Sequence, residues 1–315
     1  MRAAGRPRPA VRGSERGIAL LAVLWVAILL GVIGAVLLST TRTETRLARN
    51  LIAAAQARAL ADAGVSLAIG TLLGGPTAPA PRRDGEPKLF TLGDGQVWVS
   101  IQDQGGMISV NQAPEELLRA AFRAAGADDS LAAGLADRVI DWRDPDARRR
   151  PAGAEDDDYI AAGLAYMPRN APFRDIDELR LIYGMPPALF ERVAPLLTAA
   201  SRRPRINPLT APREVLLALP GARAEEVEEF LAARAIAAAA PDGRGARSPS
   251  VPPSIARHVG GGTASNSFAI RSQGVTADGA VFAREALVRL QGREIPPYLV
   301  LLWRQDDAPN VSGQP

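Results

Sequence analysis

The chain has 315 residues, a formal net charge of +3 and a sequence pI of about 9.8. It contains no cysteine, which excludes disulfides, thiolate metal sites and cysteine nucleophiles. Because part of the positive charge precedes the first apolar segment, the charge balance does not indicate a nucleic-acid footprint. The single histidine, His258, lies in a segment rich in glycine, proline and serine, which favours a surface loop over a catalytic triad.

The first element is a membrane anchor. An uncharged apolar run extends from Ile18 to Leu38, and a bilayer-spanning helix needs about 20 apolar residues. The leader before it, residues 1–17, contains five arginines: Arg2, Arg6, Arg8, Arg12 and Arg16. The positive-inside rule therefore predicts a single-pass inner-membrane protein with a cytoplasmic N-terminus and an exported, periplasmic C-terminal domain.

The boundary between leader and apolar run suggests processing. An ordinary secretory signal is cut after its apolar stretch, but the candidate cut between Gly17 and Ile18 precedes it. This boundary resembles the type III leader of type IV pilins and pseudopilins, which a prepilin peptidase cuts. The fifth residue counted from Ile18 is Ala22, where most of these proteins have a glutamate. The alternative is an uncleaved single-span anchor that never enters a filament.

One long helix is expected from Ile18 to Leu73, because the stretch is rich in alanine and leucine and contains no proline. Alternating apolar residues then predict a strand, Val97, Val99 and Ile101, with a β-hairpin turn at Gln104-Gly105-Gly106. Similar strand patterns reappear only at 267–275, 281–290 and 297–304. The sheet is therefore expected to be split by a long insertion.

The intervening block, about 112–263, has helical periodicity. Its expected N-caps are Asn111, Asp129 or Ser130, Asp175 and Thr210. Two segments, ISVNQAPEELLRA and INPLTAPREVLLA, share an isoleucine, an asparagine and an Ala-Pro-x-Glu helix start. Proline suits a first helical turn and glutamate suits the positive end of the helix dipole. The insertion is thus predicted to contain two related helical units.

The region 139–185 resembles one family in particular. Its DWRDPD, GAEDDDY, RNAPF and DELRLIYGM stretches are similar to those of the minor pseudopilin K family of type II secretion, as are RGIALLAVLWV and INPLTAPREVLLALPG. The resemblance implies an α+β fold with a long N-terminal membrane-spanning helix and a pilin-like antiparallel sheet interrupted by a large all-α insert. The expected domains are a leader (1–17), a helix (18–73, with 18–38 in the membrane), a pilin-like domain (74–111 and 264–306), an insert (112–263) and a tail (307–315).

The resemblance also implies a function. A non-enzymatic subunit is expected at the tip of the pseudopilus, where it helps to initiate assembly for protein export across the outer membrane. Its expected partners are the minor pseudopilins I and J, possibly H, the prepilin peptidase and the inner membrane, and no nucleic acid. The missing glutamate at Ala22 suits a first-placed subunit, since it has no predecessor whose terminal amine needs a buried counter-charge.

The main alternative is a membrane-anchored DNA-binding protein of a DNA-uptake system. The segments IDELRLIYGMPPALFERVAPLLT and VLLALPGARAEEVEEFL resemble helix-hairpin-helix units, whose glycine-rich amides contact phosphate in DNA-binding proteins. Here Ala222 and Arg223 follow Gly221 where a second glycine is expected, and four glutamates between Glu225 and Glu229 would repel phosphate. A purely structural role is favoured.

A cluster of carboxylates lies between Asp141 and Asp158. Calcium takes 6 to 8 oxygen ligands, and the residues predicted to supply them are Asp141, Asp144, Asp146, Glu155, Asp156 and Asp158. The spacing is not that of an EF-hand, but the family resemblance implies calcium in the helical domain, so calcium is the expected cofactor. The alternatives are a solvated loop paired with Arg143, Arg148, Arg149 and Arg150, and a glycosidase-like carboxylate pair without an aromatic substrate cleft.

Overall fold

The computed structural model describes residues 15–74, 81–239, 249–261, 265–292 and 294–306, with the side chains of 15–19 and 36–43 left aside. The chain divides after Gln56 into two compact units, and each is described separately below. The predicted leader, residues 1–17, lies outside the described residues except for its last three, whose backbone is helical.

Helix α1, Glu15–Leu73, is the longest element. It begins three residues before the predicted start at Ile18 and ends at the predicted Leu73. Its length follows from its composition, because alanine and leucine are strong helix formers and no proline interrupts them. The helix contributes both to the first unit and, from Ala57 onward, to the second.

The sheet is antiparallel and five-stranded, as the split-sheet prediction requires. Its strands are β1 Lys88–Leu92, β2 Gly95–Asp103, β5 Ser267–Val275, β6 Val281–Leu290 and β7 Tyr298–Gln305, in the spatial order β1-β2-β5-β6-β7. Strands β2 and β5 are neighbours, with Ile101 opposite Ile270. The long insertion therefore leaves and re-enters the sheet between two adjacent strands, and the predicted α+β fold is confirmed.

One face of this sheet packs on the second half of α1. The alternating residues Val97, Val99 and Ile101 point into this core, as predicted. From the neighbouring strands come Phe268, Ile270, Ala286 and Val288, and from α1 come Val65, Ala68, Ile69 and Leu72. The pattern is that of a helix burying one apolar stripe on a sheet that buries one face.

The predicted hairpin turn at Gln104-Gly105-Gly106 is wrong. Strand β2 is instead paired in a hairpin with the preceding β1, with Leu92 opposite Gly95. Residues Gln104–Gly106 form a short 3-10 turn, and the backbone N–H of Asn207 donates to the carbonyl of Gly105 at 2.7 Å. The two glycines therefore allow a distant segment of the insertion to approach the end of β2 rather than reversing the strand.

The insertion is mainly helical. Its helices are α2 Glu115–Ala124, α3 Asp129–Arg143, α4 Asp156–Ala161, α5 Pro187–Val193, α6 Arg213–Leu217 and α7 Ala224–Ala239. A small parallel pair, β3 Ile108–Ser109 and β4 Leu197–Thr198, joins its beginning to its middle. A second core, separate from that of the sheet, contains Leu118, Phe122, Leu135, Tyr159 and Leu216. The predicted domain limits at 112 and 263 stay predictions.

The two Ala-Pro-x-Glu segments do begin helices. Pro114 is the N-cap of α2 and Pro212 is the N-cap of α6, and both have extended backbone angles. The predicted caps Asn111 and Thr210 are therefore wrong. The predicted cap Asp129 or Ser130 is also wrong, because Asp128 is the N-cap of α3 and accepts from the backbone of Leu131. The predicted cap Asp175 is confirmed and accepts from the backbone of Asp177.

The packing of α1 on the sheet predicts opposite effects for two glycines of one helix. A Cβ at buried Gly64 would lie 2.1 Å from Ser272 Oγ and 2.5 Å from Val97 Cγ1, whereas a Cβ at Gly70 would meet nothing within 4 Å. We expect Gly64→Ala to cost about 1–3 kcal/mol of unfolding free energy through overpacking. Gly70→Ala should instead gain roughly 0.5–1 kcal/mol from helix propensity. Thermal melting of the two variants tests this, and equal shifts would contradict it.

Candidate membrane anchor and cation-binding loop

The first candidate site is the apolar part of α1. Among the residues with described side chains, Leu20–Ala35 is a short apolar stretch, and Glu44–Leu73 passes the length and composition test for a membrane span. The second stretch cannot be the anchor, because Ala57, Ala61 and Val65 are fully buried in the globular unit. Leu20–Ala35 instead exposes large apolar side chains such as Leu20, Trp25 and Leu30. One N-terminal apolar helix is thus present, consistent with a single-pass anchor.

The predicted processing residues lie at the start of this helix. Gly17 and Ile18 fall within α1, but their side chains lie outside the described ones. Ala22 is exposed on the same helix, within the apolar stretch. The described stretch from Leu20 to Ala35 contains no acidic residue, so it offers no carboxylate to neutralise a neighbour's terminal amine.

The acidic loop connects α3 to α4. Asp141 lies in the last turn of α3 and is fully buried, and Asp144 is the C-cap of that helix. Glu155 is the N-cap of α4 and is 7% exposed. The loop therefore returns the chain to the end of α3, and it brings the carboxylate of Glu155 there from a distant position in the sequence. Of the predicted ligands, Asp141 and Asp144 have the largest charge effects on Glu155.

Burial and mutual repulsion raise the pKa values of this group. Desolvation, followed by the charges of Asp141 and Asp144, raises the pKa of Glu155 to about 7. Desolvation also raises the pKa of Asp141 to about 6, with a further contribution from Asp144. The pKa of Asp144 is raised by the same two kinds of effect. A nearby cation would reverse these shifts, because it favours the charged form of each carboxyl.

Several carboxylate oxygens at this site have no hydrogen-bond partner. Both side-chain oxygens of Glu155 and Oδ1 of Asp144 are buried and make no hydrogen bond among the described residues, although the Glu155 side chain faces the backbone N–H of Asp158 in a capping-box arrangement. Asp141 accepts long bonds, 3.3–3.4 Å, from the backbone N–H of Arg150, and a further bond from the backbone of Ala154. Buried polar groups are normally satisfied, so such orphans indicate a missing ligand or a strained arrangement.

The other predicted ligands are engaged elsewhere or lie at the surface. Asp158 accepts from the backbone of Glu155 at 3.0 Å and pairs with Arg149 at 2.8 Å. Asp146 accepts from the backbone of Arg148 at 2.9 Å, and Asp156 is exposed. In the part of the chain whose side chains are described, no three acidic or histidine side chains lie close enough together to hold a metal as they stand.

The neighbouring arginines form no ion pair with Asp141, Asp144 or Glu155 among the described contacts. Arg143 donates to the backbone carbonyls of Val110 and Ala113, and burial lowers its pKa. Arg150 pairs with Asp137 at 2.8 Å and with Glu115. The arginine-paired alternative therefore accounts for Asp158. It gives Asp144 and Glu155 no ion pair among the described contacts, although the charges of Arg143 and Arg150 act on Asp144.

The histidine prediction is wrong. His258 is buried, its backbone carbonyl accepts from the N–H of Ile206, and its Nε2 accepts from Nε of Arg257 at 2.9 Å. Desolvation and the charge of Arg257 lower its pKa. The residue therefore contributes to the packing of a loop of the insertion. Its glycine-rich sequence context did not indicate that the side chain is buried.

The two hairpin-like units contain the expected tight turns but not a phosphate site. Gly184 and Gly221 both have positive φ, 72° and 79°. The first unit begins with a 3-10 helix, Ile176–Leu181, rather than an α-helix. At the second turn Glu226 accepts from Ser254 Oγ at 2.6 Å and pairs with Arg223 at 3.1 Å. A carboxylate and a packed loop therefore lie at the helix end where phosphate would bind.

Comparisons with known proteins find similarity to one family. A family model described as type II secretion system protein K matches residues 96–202, which include the acidic loop. Protein K of Klebsiella pneumoniae is 27% identical over 226 residues, 65% of this chain and 69% of the relative. Protein K of Pseudomonas aeruginosa is 29% identical over 233 residues, 66% of this chain and 69% of the relative. This chain is thus similar to type II secretion system protein K over about two thirds of its length.

The fold agrees with this similarity. A chain in the crystal structure of the GspK–GspI–GspJ complex from the type 2 secretion system of enterotoxigenic Escherichia coli superimposes with a TM-score of 0.52 and 23% identity. The match covers 85% of this chain and 100% of that chain. The protein K family consists of secretion-system components and is not an enzyme family.

Proposed function

We propose that this protein is a minor pseudopilin that caps the tip of the pseudopilus and helps to initiate its assembly. In that role it binds the I- and J-type minor pseudopilins, and possibly H, for protein export across the outer membrane. The observation that carries the proposal is the helical insertion between β2 and β5, built into a pilin-like sheet. The related fold in a complex with GspI and GspJ supports the choice of partners.

The membrane part fits the same role. The arginine-rich leader before the apolar helix favours an N-terminus in the cytoplasm and a globular unit in the periplasm. A prepilin peptidase would cut between Gly17 and Ile18 and leave a charged amine in an apolar helix bundle. A buried charge is costly unless it is paired. Each added subunit therefore needs a carboxylate that neutralises the terminal amine of the subunit added before it. Ala22 cannot supply it, which suits a subunit that is placed first.

The proposal predicts a defect at initiation. Deleting the gene should greatly reduce the number of pseudopili and the secretion of their cargo, while the major shaft subunit accumulates normally in the inner membrane. The position of the protein is tested by a label on the cysteine-free chain through a single introduced cysteine. Label at one end of each filament is expected, and label along the whole shaft would contradict the proposal.

The DNA-uptake alternative has little support from the geometry. The glutamates of α7 and the bond from Ser254 to Glu226 occupy the turn that would hold a phosphate. A DNA-binding protein of this kind would lose affinity steeply with salt, because phosphate contacts release counterions. Absence of salt-sensitive DNA binding by the purified protein is therefore expected.

We further propose that the acidic loop binds calcium. The unpaired oxygens of Asp144 and Glu155 and the fully buried carboxylate of Asp141 fit an oxygen-seeking cation. These three residues would hold the ion, with Asp146, Asp156 and Asp158 as further candidates after side-chain rotation. The ion would neutralise the mutual repulsion and fix the loop between α3 and α4.

A further inference from the structure

The last strand of the sheet, β7, has one unoccupied side. It pairs with β6 over Tyr298–Gln305, and within the described residues no strand pairs with its outer edge. Such an edge presents unpaired backbone N–H and C=O groups, which soluble proteins normally protect with charges, proline or short length. Here the five residues from Leu299 to Trp303 are all apolar.

Apolar side chains are exposed on both faces of this edge. Val300 and Trp303 lie opposite Val288 and Ala286, so they share the face that α1 covers farther along the sheet. Leu299 lies opposite Arg289, on the other face. Leu299, Val300, Leu301 and Trp303 are each about 40% exposed, 38–44%. A helix laid on the sheet would cover one of these faces, whereas an added strand would cover both.

Trp303 is held in place before any partner arrives. The guanidinium of Arg284 lies 5.2 Å from the Trp303 ring centroid and 4.9 Å from that of Phe282. Arg284 is itself nearly buried and donates to Asp62 of α1 at 2.7 Å. A rigid, half-exposed tryptophan is typical of the anchor residues of protein interfaces.

We propose that the edge of β7 is a docking site for a strand of a pilin-type partner subunit. The unpaired main chain requires an extended segment, and the apolar residues on both faces require alternate apolar side chains in it. Residues 307–315 that follow β7 in sequence are poorly suited, since DAPNVSGQP contains two prolines and a glycine. The choice of a pilin-type partner, rather than a second copy, rests on the proposed function, in which one copy occupies the tip.

The test uses the full-length chain co-expressed with the I- and J-type subunits of its own secretion system and purified in detergent. Val300→Lys and Leu299→Lys place a charge on either face of the edge, and Val281→Lys is the matched control on β6, where the exposed valine lies outside the edge. Each edge variant should lower recovery of the complex about tenfold with an unchanged melting temperature, whereas the control should have no effect. Amide exchange of residues 298–305 should slow about tenfold in the wild-type complex.

The outcomes separate the two proposals. Failure of the wild-type chain to form any complex with I and J would overturn the proposed function. A normal complex that neither edge variant weakens, with unchanged exchange in β7, would overturn the docking site and leave the proposed function standing. Sensitivity to Val300→Lys alone would indicate a helix on one face, and a homodimer abolished by both variants would indicate a second copy; either result overturns strand docking by a pilin-type partner.

Discussion

Calcium is expected to raise the melting temperature of the purified protein by roughly 5–10 °C when it exceeds its dissociation constant about a hundredfold. An ion that binds only the folded state stabilises it by about 2.7 kcal/mol at that excess. The gain arises because Asp141, Asp144 and Glu155 repel one another in the folded protein, and because three of their oxygens are buried without a partner. Melting with calcium, with magnesium and with chelator measures the effect.

The calcium effect should grow with pH. The folded-state pKa of Glu155 is raised to about 7 and that of Asp141 to about 6, both above the ordinary carboxyl values. These groups therefore stabilise the protein fully only below about pH 4, and that contribution is lost as the pH rises through about 6 to 7. Calcium replaces the protons, so its stabilisation should be small at pH 5 and largest near pH 8. A shift independent of pH would contradict these carboxyls as ligands.

Replacing a carboxylate by its neutral amide tests whether that side chain is a calcium ligand. Asp144→Asn and Glu155→Gln should each remove most of the calcium-dependent shift, and without calcium they should raise the melting temperature at pH 8 by relieving repulsion. Asp157→Asn is the matched control, because Asp157 is an exposed member of the same acidic run. No heat on calorimetric titration and a melting curve insensitive to calcium would leave the loop as a purely structural turn.

The elements that the sequence predicted well are those with a local cause. The length of α1 follows from a stretch without proline, and the splitting of the sheet follows from strand patterns that stop before the insertion and resume after it. The helix starts at Pro114 and Pro212 follow from the same short-range chemistry. In each case the residues that determine the element are within one turn or one strand of it.

The predictions that failed depend on contacts between distant segments. Gly105 and Gly106 look like a hairpin turn, but a Cβ at Gly106 would lie 2.5 Å from the backbone oxygen of Thr210, and the carbonyl of Gly105 accepts from the N–H of Asn207. Asn111 looks like a helix cap, but its side chain bonds the backbone of Phe173 and Ala199. His258 is buried by the chain around Ile206. None of these partners can be read from the local pattern, because they are brought together only by the packing of the insertion.

The acidic loop was also predicted only in part, because some of its features depend on contacts with distant segments. The cluster itself was evident in the sequence, with Asp144 and Glu155 among its six predicted ligands. The sequence could not show that Arg143 donates to the backbone carbonyls of Val110 and Ala113, or that Arg150 pairs with Asp137. Those two long-range contacts decide which carboxylates lack a counter-charge, and therefore which ones are candidates for a cation.

The mature protein is expected to begin at Ile18, and Gly17 is expected to be essential for this. A prepilin peptidase must approach the backbone closely at the cut, and any side chain at position 17 would obstruct it. Gly17→Val should therefore abolish cleavage and leave the full leader attached. Gly31→Val is the control, because Gly31 lies in the same apolar helix with nothing within 4 Å of its Cβ position.

Intact-mass measurement of protein purified from membranes distinguishes the possibilities. A mass that begins at Ile18 in the wild type and in Gly31→Val, but at the native start in Gly17→Val, supports the processing site. A mature chain that begins after the apolar run would instead mean an ordinary secretory signal and a protein without an anchor. Since an uncleaved subunit has no terminal amine within the helix bundle, Gly17→Val should also fail to support secretion, whereas Gly31→Val should support it.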